Sequence, residues 1–126
     1  MKPRFAITVA LALIGAIPAS PHHSNVAFEV TKVETVTGVV KEFLWRNPHT
    51  WVKVIADDGK GGKVEWGFEG RAPGVLLRAG WSRKSLVEGE KVTIDMSPAK
   101  DGSKTGLIAR VTKGDGTILP NAPPND

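Results

Sequence analysis

Three histidines are the first residues in this chain that could do chemistry. His22 and His23 stand side by side in "SPHHSN", and His49 sits in "WRNPHTW", behind Asn47 and Pro48 and between Trp45 and Trp51. Imidazole is the commonest protein ligand for transition metals and suits copper and zinc. One expectation is therefore a Cu(II) or Zn(II) site built from His49 with His22 or His23, the N-terminal segment folding back to supply the second arm. The alternative is that His22 and His23 are solvated and that His49 hydrogen-bonds within its own turn. Chelation through a free N-terminal amine is disfavoured. The amino-terminal copper motif with histidine third, Ser20-Pro21-His22, needs a second-residue amide that proline lacks.

The tryptophans come next, four of them in a chain without tyrosine. Trp45 and Trp51, with Asn47 and His49 between them, form a candidate face for a ligand or a partner, where a sugar, a base or a proline-rich peptide could stack. The competing reading is a cross-strand aromatic pair that fixes the register of a hairpin. Trp66 lies on an apolar strand face and is expected in the core. Trp81 is expected over one end of the fold.

Catalytic signatures are missing. No G-x-S-x-G elbow is present, and "DDGKGGK" has neither the spacing nor the Ser/Thr of a phosphate loop. Asp57-Asp58 reads as turn chemistry, and Glu65 and Glu69 read as the outward face of a strand. No credible nucleophile–base pair emerges, so the expectation is a non-enzymatic protein. Cysteine is absent, which excludes disulfides and thiolate metal sites. Arg46, Lys53, Arg71, Arg78, Arg83 and Lys84 are scattered rather than gathered into a basic stripe interleaved with aromatics, which argues against a nucleic-acid partner.

The elements that must position these residues follow a secretory leader. "MKPR" is a basic start, "FAITVALALIGAI" an uncharged apolar run, and "PAS" a breaker with small residues, the order of a cleavable signal peptide over residues 1–20. The run falls short of the roughly 18–20 residues of a spanning helix. Cleavage after Ala19 or Ser20 is expected, leaving an exported, periplasmic protein with no stable membrane span. The formal charge of +4 includes Lys2 and Arg4, and without them the domain carries +2. High pI thus overstates its basicity.

Past the polar stretch to residue 30, "ETVTGVVKEFLW" is rich in β-branched residues, with Gly38 at a bulge or tight bend. "TWVKVIAD" alternates, Val52, Val54 and Ala56 facing one way. "KVEWGFEG" is a third strand after the "DDGKGG" turn. Pro73 and Gly80 bracket a short helix in "APGVLLRAG". "KVTIDMSPA" and "TGLIARVTK" are two more strands, and "PNAPPND" reads as a disordered tail. Five strands with one helix between the third and fourth give an all-β protein with one short helix: a small OB-like five-stranded Greek-key barrel. It would occupy residues 21–119 as a single domain, with the tail at 120–126.

With these residues in view, the chain resembles the domain of unknown function 6152 family of small exported bacterial proteins. The resemblance rests on "HHS" after the leader, "WRNPH" at the first hairpin, "LLRAGW", "LVEGEKV" and "AKDG", and covers His22 to about Leu119. It implies a small periplasmic protein of unassigned activity and directs attention to His22, His23, Ser24, Asn47, Pro48 and His49. It supplies no catalytic residue.

Overall fold

A computed structural model describes residues 26–124. The segment expected to be a signal peptide, residues 1–20, and His22 and His23 lie outside the described residues. Six strands and one helix follow one another: β1 Glu34–Leu44, β2 Trp51–Asp57, β3 Lys63–Glu69, α1 Pro73–Arg78, β4 Lys91–Pro98, β5 Thr105–Lys113 and β6 Ile118–Pro120. The strands lie in the order β3-β2-β1-β4-β5-β6, and a further parallel pairing of β3 with β5 closes the first five into a barrel. Closure removes the long unpaired edges that an open sheet would expose. This is the OB arrangement expected from the element order, with β6 as a short addition.

Alternation along the strands decides what lies inside. Val52, Val54 and Ala56 on β2, and Val92, Ile94 and Met96 on β4, are buried together with Val40, Phe68, Ile108 and Val111. β1 is long because it serves two neighbours: residues 34–39 pair with β4 and residues 38–44 with β2. Gly38 sits where the two ladders overlap, and a Cβ there would lie 2.4 Å from the Ile55 carbonyl oxygen. It marks a close approach; the bulge falls further on, between Val40 and Glu42.

The helix plugs one end. Pro73 occupies its first turn, where the missing N–H costs nothing. Its stop is a Schellman arrangement: Gly80 takes φ 94°, its N–H bonds to the Leu77 carbonyl, and the Trp81 N–H bonds to the Leu76 carbonyl. The same turn brings Trp81 and Leu76 into the core, both buried. The Trp81 indole N–H donates to the Pro120 carbonyl at 2.7 Å. Asn121 is tied down too, its N–H to the Ala109 carbonyl and its Oδ1 to the Arg71 N–H. Ala109 is the extra residue of a bulge opposite Asp95 and Met96, so the segment after β6 satisfies a carbonyl that the ladder leaves free.

Outside the barrel, Asp95 accepts hydrogen bonds from Thr35 Oγ1 and Arg110 Nε, each at 2.6 Å. The Thr35 bond first, and the Arg110 guanidinium second, hold its carboxyl below the ordinary carboxylate range. A carboxyl depressed by folding contributes its full stability above the unfolded value of about 3.9 and loses it as pH falls through the folded value. Asp95→Asn should therefore lower stability at neutral pH and flatten the acid limb of a stability–pH curve measured by urea unfolding. An unchanged acid limb would assign that limb to other carboxylates.

Candidate functional site

The first hairpin corner gathers the residues that carry most chemistry. Register places them. Asp57 pairs with Lys63 across the β2–β3 turn, so counting back along both strands sets Trp51 opposite Glu69. The Asn47–Pro48 bond is cis, and the chain then runs through His49 into Thr50, whose N–H and carbonyl bond to the Arg71 carbonyl and the Gly70 N–H. That double link pins the turn against the segment leaving β3. His49 consequently lies beside Glu69, with Nδ1 2.9 Å from Oε1.

Burial separates the partners. The His49 side chain is 41% exposed and that of Glu69 only 11%. Glu69 was expected on a solvated outward face; it is instead buried at the barrel end, beneath the histidine. Its neighbour in that expectation, Glu65, does face solvent and pairs with Lys41 at 2.6 Å. The Asp57-Asp58 reading holds as turn chemistry: Asp58 Oδ1 accepts from the Lys60 and Gly62 N–H groups, and Asp57 pairs with Lys63.

A carboxylate at Nδ1 fixes the ring's orientation and favours the proton on that nitrogen. Nε2 is then left with its lone pair for another group. Histidines that bind metals are commonly held this way, by a carboxylate or carbonyl at the nitrogen away from the ion. Among the described residues no group of three or more His, Asp or Glu gathers into a metal cage. A full coordination sphere at His49 would need donors from elsewhere, and His22 and His23, expected in that role, lie outside the described residues.

The tryptophans separate. Trp45 is half-buried against the core, its ring edge-on to Phe43 at 5.8 Å, and Phe43 in turn lies 6.1 Å from Trp81. Trp51 belongs to the opposite strand face and covers Gly67, where a Cβ would stand 3.7 Å from the indole. Leu44, not Trp45, is its cross-strand partner. The aromatic pair expected across the hairpin is therefore not formed, and the two rings do not share one stacking platform. Asn47 is exposed beside them. Trp66, expected as core, is only half-buried and lies at the other end of the barrel.

Thr50 adds an anomaly to the corner. It is fully buried, and Oγ1 has no hydrogen-bond partner. A buried unsatisfied hydroxyl costs about 1–3 kcal/mol. Thr50→Val, which keeps the shape and removes the polar atom, should raise stability by about 1 kcal/mol in urea unfolding. A loss of that size would mean that the hydroxyl is bonded in solution.

Fold and corner together define a small closed OB-type barrel carrying a carboxylate-oriented histidine on its first hairpin. Residues 10–110 match a family of unknown function, DUF6152, and the chain belongs to that family. No curated protein and no solved structure matches the chain. Glu69 is the site residue that strand alternation alone misplaces. The register of the β2–β3 hairpin, countable from its turn, is the signal that puts it next to His49.

Proposed function

We propose that this chain is an exported, periplasmic binding or accessory module without enzymatic activity, which takes its ligand or partner at the His49 corner. The single observation behind the reading is the His49–Glu69 pair. A buried carboxylate orients a half-exposed imidazole, on a turn tied to the barrel at Thr50. Rigid presentation of one acceptor nitrogen, Nε2, is what specific recognition needs, since little order remains to be gained on binding. Export is supported by the basic, apolar and small-residue order of the first twenty residues. No helix among the described residues is long and apolar enough to cross a membrane.

The test is a photo-crosslinking residue at the exposed position 47, introduced into the full chain in the cell that makes it. A discrete adduct outside the cytoplasm, lost when His49→Ala is added, supports the reading. An adduct pattern indifferent to His49→Ala contradicts it.

A second reading is favoured by the Nδ1 pairing in particular: Nε2 as a ligand to Cu(II) or Zn(II), with His22 or His23 completing the site. Titration of the mature protein with either ion, followed by tryptophan fluorescence, decides it. Saturation at one equivalent, abolished by His49→Ala, supports this reading. A response that survives the substitution removes His49 from the site.

A further inference from the structure

The helix closes one barrel end; the other is left open by the described residues. Depth along the inward-facing positions shows it. Val40 and Phe68 are buried completely, whereas Val36, Val64 and Trp66, nearer the β2–β3 turn on the same inner faces, are half-exposed. They border a cleft of about 430 Å³ that Ala56, Lys60 and Lys104 complete. That volume lies within the roughly 300–1,000 Å³ of ligand sites, and barrel mouths are among the places where such sites occur.

Charge in this mouth is unevenly spent. Asp57 is paired with Lys63, and Asp58 is committed to the Lys60 and Gly62 backbone N–H groups. Lys104, exposed on the β4–β5 turn, has no carboxylate partner among the described residues; its ammonium rests over the Trp66 ring, 5.0 Å from the centroid. The Lys60 ammonium also lacks an ion pair among the described residues. Trp66 is itself held, stacked within 3° of parallel on the buried Phe68 at 5.7 Å. A fixed aromatic floor, walls that mix Val36 and Val64 with Thr35 and Thr37, and a cation without an ion pair among the described residues thus meet at one opening. On the far side of Lys104 a second cleft of about 350 Å³ shares Trp66, so the lysine can swing without entering packed structure.

We propose that the barrel mouth binds a small organic anion with a flat apolar body, an aromatic carboxylate in class. The body lies against Trp66, Val36 and Val64, and the carboxylate accepts from Lys104, which leaves the indole face to meet it, with Lys60 as the second cation. A ligand without the charge would meet the same apolar floor but leave Lys104 unpaired. One with a positive charge would displace Lys104 against repulsion from Lys60. This site is distinct from the His49 corner and does not depend on the reading given to that corner.

The experiment uses the purified protein and three probes of one shape: 2-naphthoate, 2-naphthamide and 2-naphthylmethylammonium. The indole N–H signals of the four tryptophans report each titration by NMR, that of Trp66 assigned with Trp66→Phe. Naphthoate should move the Trp66 signal saturably, and Lys104→Ala should weaken it about tenfold, the order expected for a charged hydrogen bond. Lys104→Arg should keep most of the affinity. Lys104 is exposed on a turn, so these variants leave the fold intact. The proposal is overturned if the amide binds as tightly as naphthoate, if the ammonium probe binds better, or if Lys104→Ala changes nothing.

Discussion

Gly38→Ala should destabilise the protein by about 1–3 kcal/mol, the range for forcing an extra carbon into a packed site. The new methyl would stand 2.4 Å from the Ile55 carbonyl oxygen and 2.6 Å from Val54 Cγ1. A side-chain tip could turn away, but the carbonyl belongs to the β2 backbone, whose ladder with β1 runs through this point. Nor can β1 retreat, because Gly38 is also paired with Val92 of β4. Both flanking strands hold it in place. Urea unfolding measures the effect, and a variant within about 0.5 kcal/mol of the parent, the scatter of ordinary surface substitutions, would show that β1 is not clamped in this way.

Glu69→Gln is the second large effect, and it follows from the metal reading of the His49 corner. Removing the partner that orients a ligating histidine weakens metal binding by about 10–100-fold. Glutamine keeps size and shape while replacing an anionic acceptor by a neutral amide, so the barrel end should stay packed. Zn(II) affinity measured by calorimetry in the parent and in Glu69→Gln gives the comparison. Equal affinities would mean that Glu69 does not act through His49 on a metal. Parent protein that takes up no Zn(II) would end the metal reading and leave the carboxylate as a fixer of the turn.

Much of this architecture is legible in the residues themselves. The alternation of Val52, Val54 and Ala56, the Pro73 and Gly80 brackets and the positions of the turns are local signals, and each corresponds to an observed element. Local signals say which face a side chain takes, not how far along a barrel it sits. Trp66 shows the difference: it does point inward and packs against the core, but at an end that none of the described residues caps, so it is only half-buried. Glu69 shows the converse. It alternates outward like Glu65, yet it stands at the strand end where the first hairpin folds over it, and burial follows from that tertiary contact.

Closure is the other feature that local patterns cannot carry. Residues 67–69 of β3 meet residues 105–107 of β5 across a long loop of chain, and nothing in either segment names the other. The order of elements, with the helix between the third and fourth strands, is what made the barrel foreseeable. The hairpin at 45–51 was legible as a turn, whereas its two tryptophans divide between the flank of the core and the outer face because Trp45 lies just beyond β1 and follows Phe43 inward.

The central claim is that Glu69 holds the His49 ring with Nδ1 engaged and Nε2 offered. Long-range ¹⁵N–¹H spectra of the histidine side chains test it most directly, taken at about pH 8, above the ordinary histidine pKa of about 6.5, with His49 assigned by His49→Gln. The account predicts a single neutral form with the proton on Nδ1 and a bare Nε2, replaced by a mixture of the two neutral forms in Glu69→Gln. A ring protonated on Nε2, or one already sampling both forms in the parent protein, would contradict it.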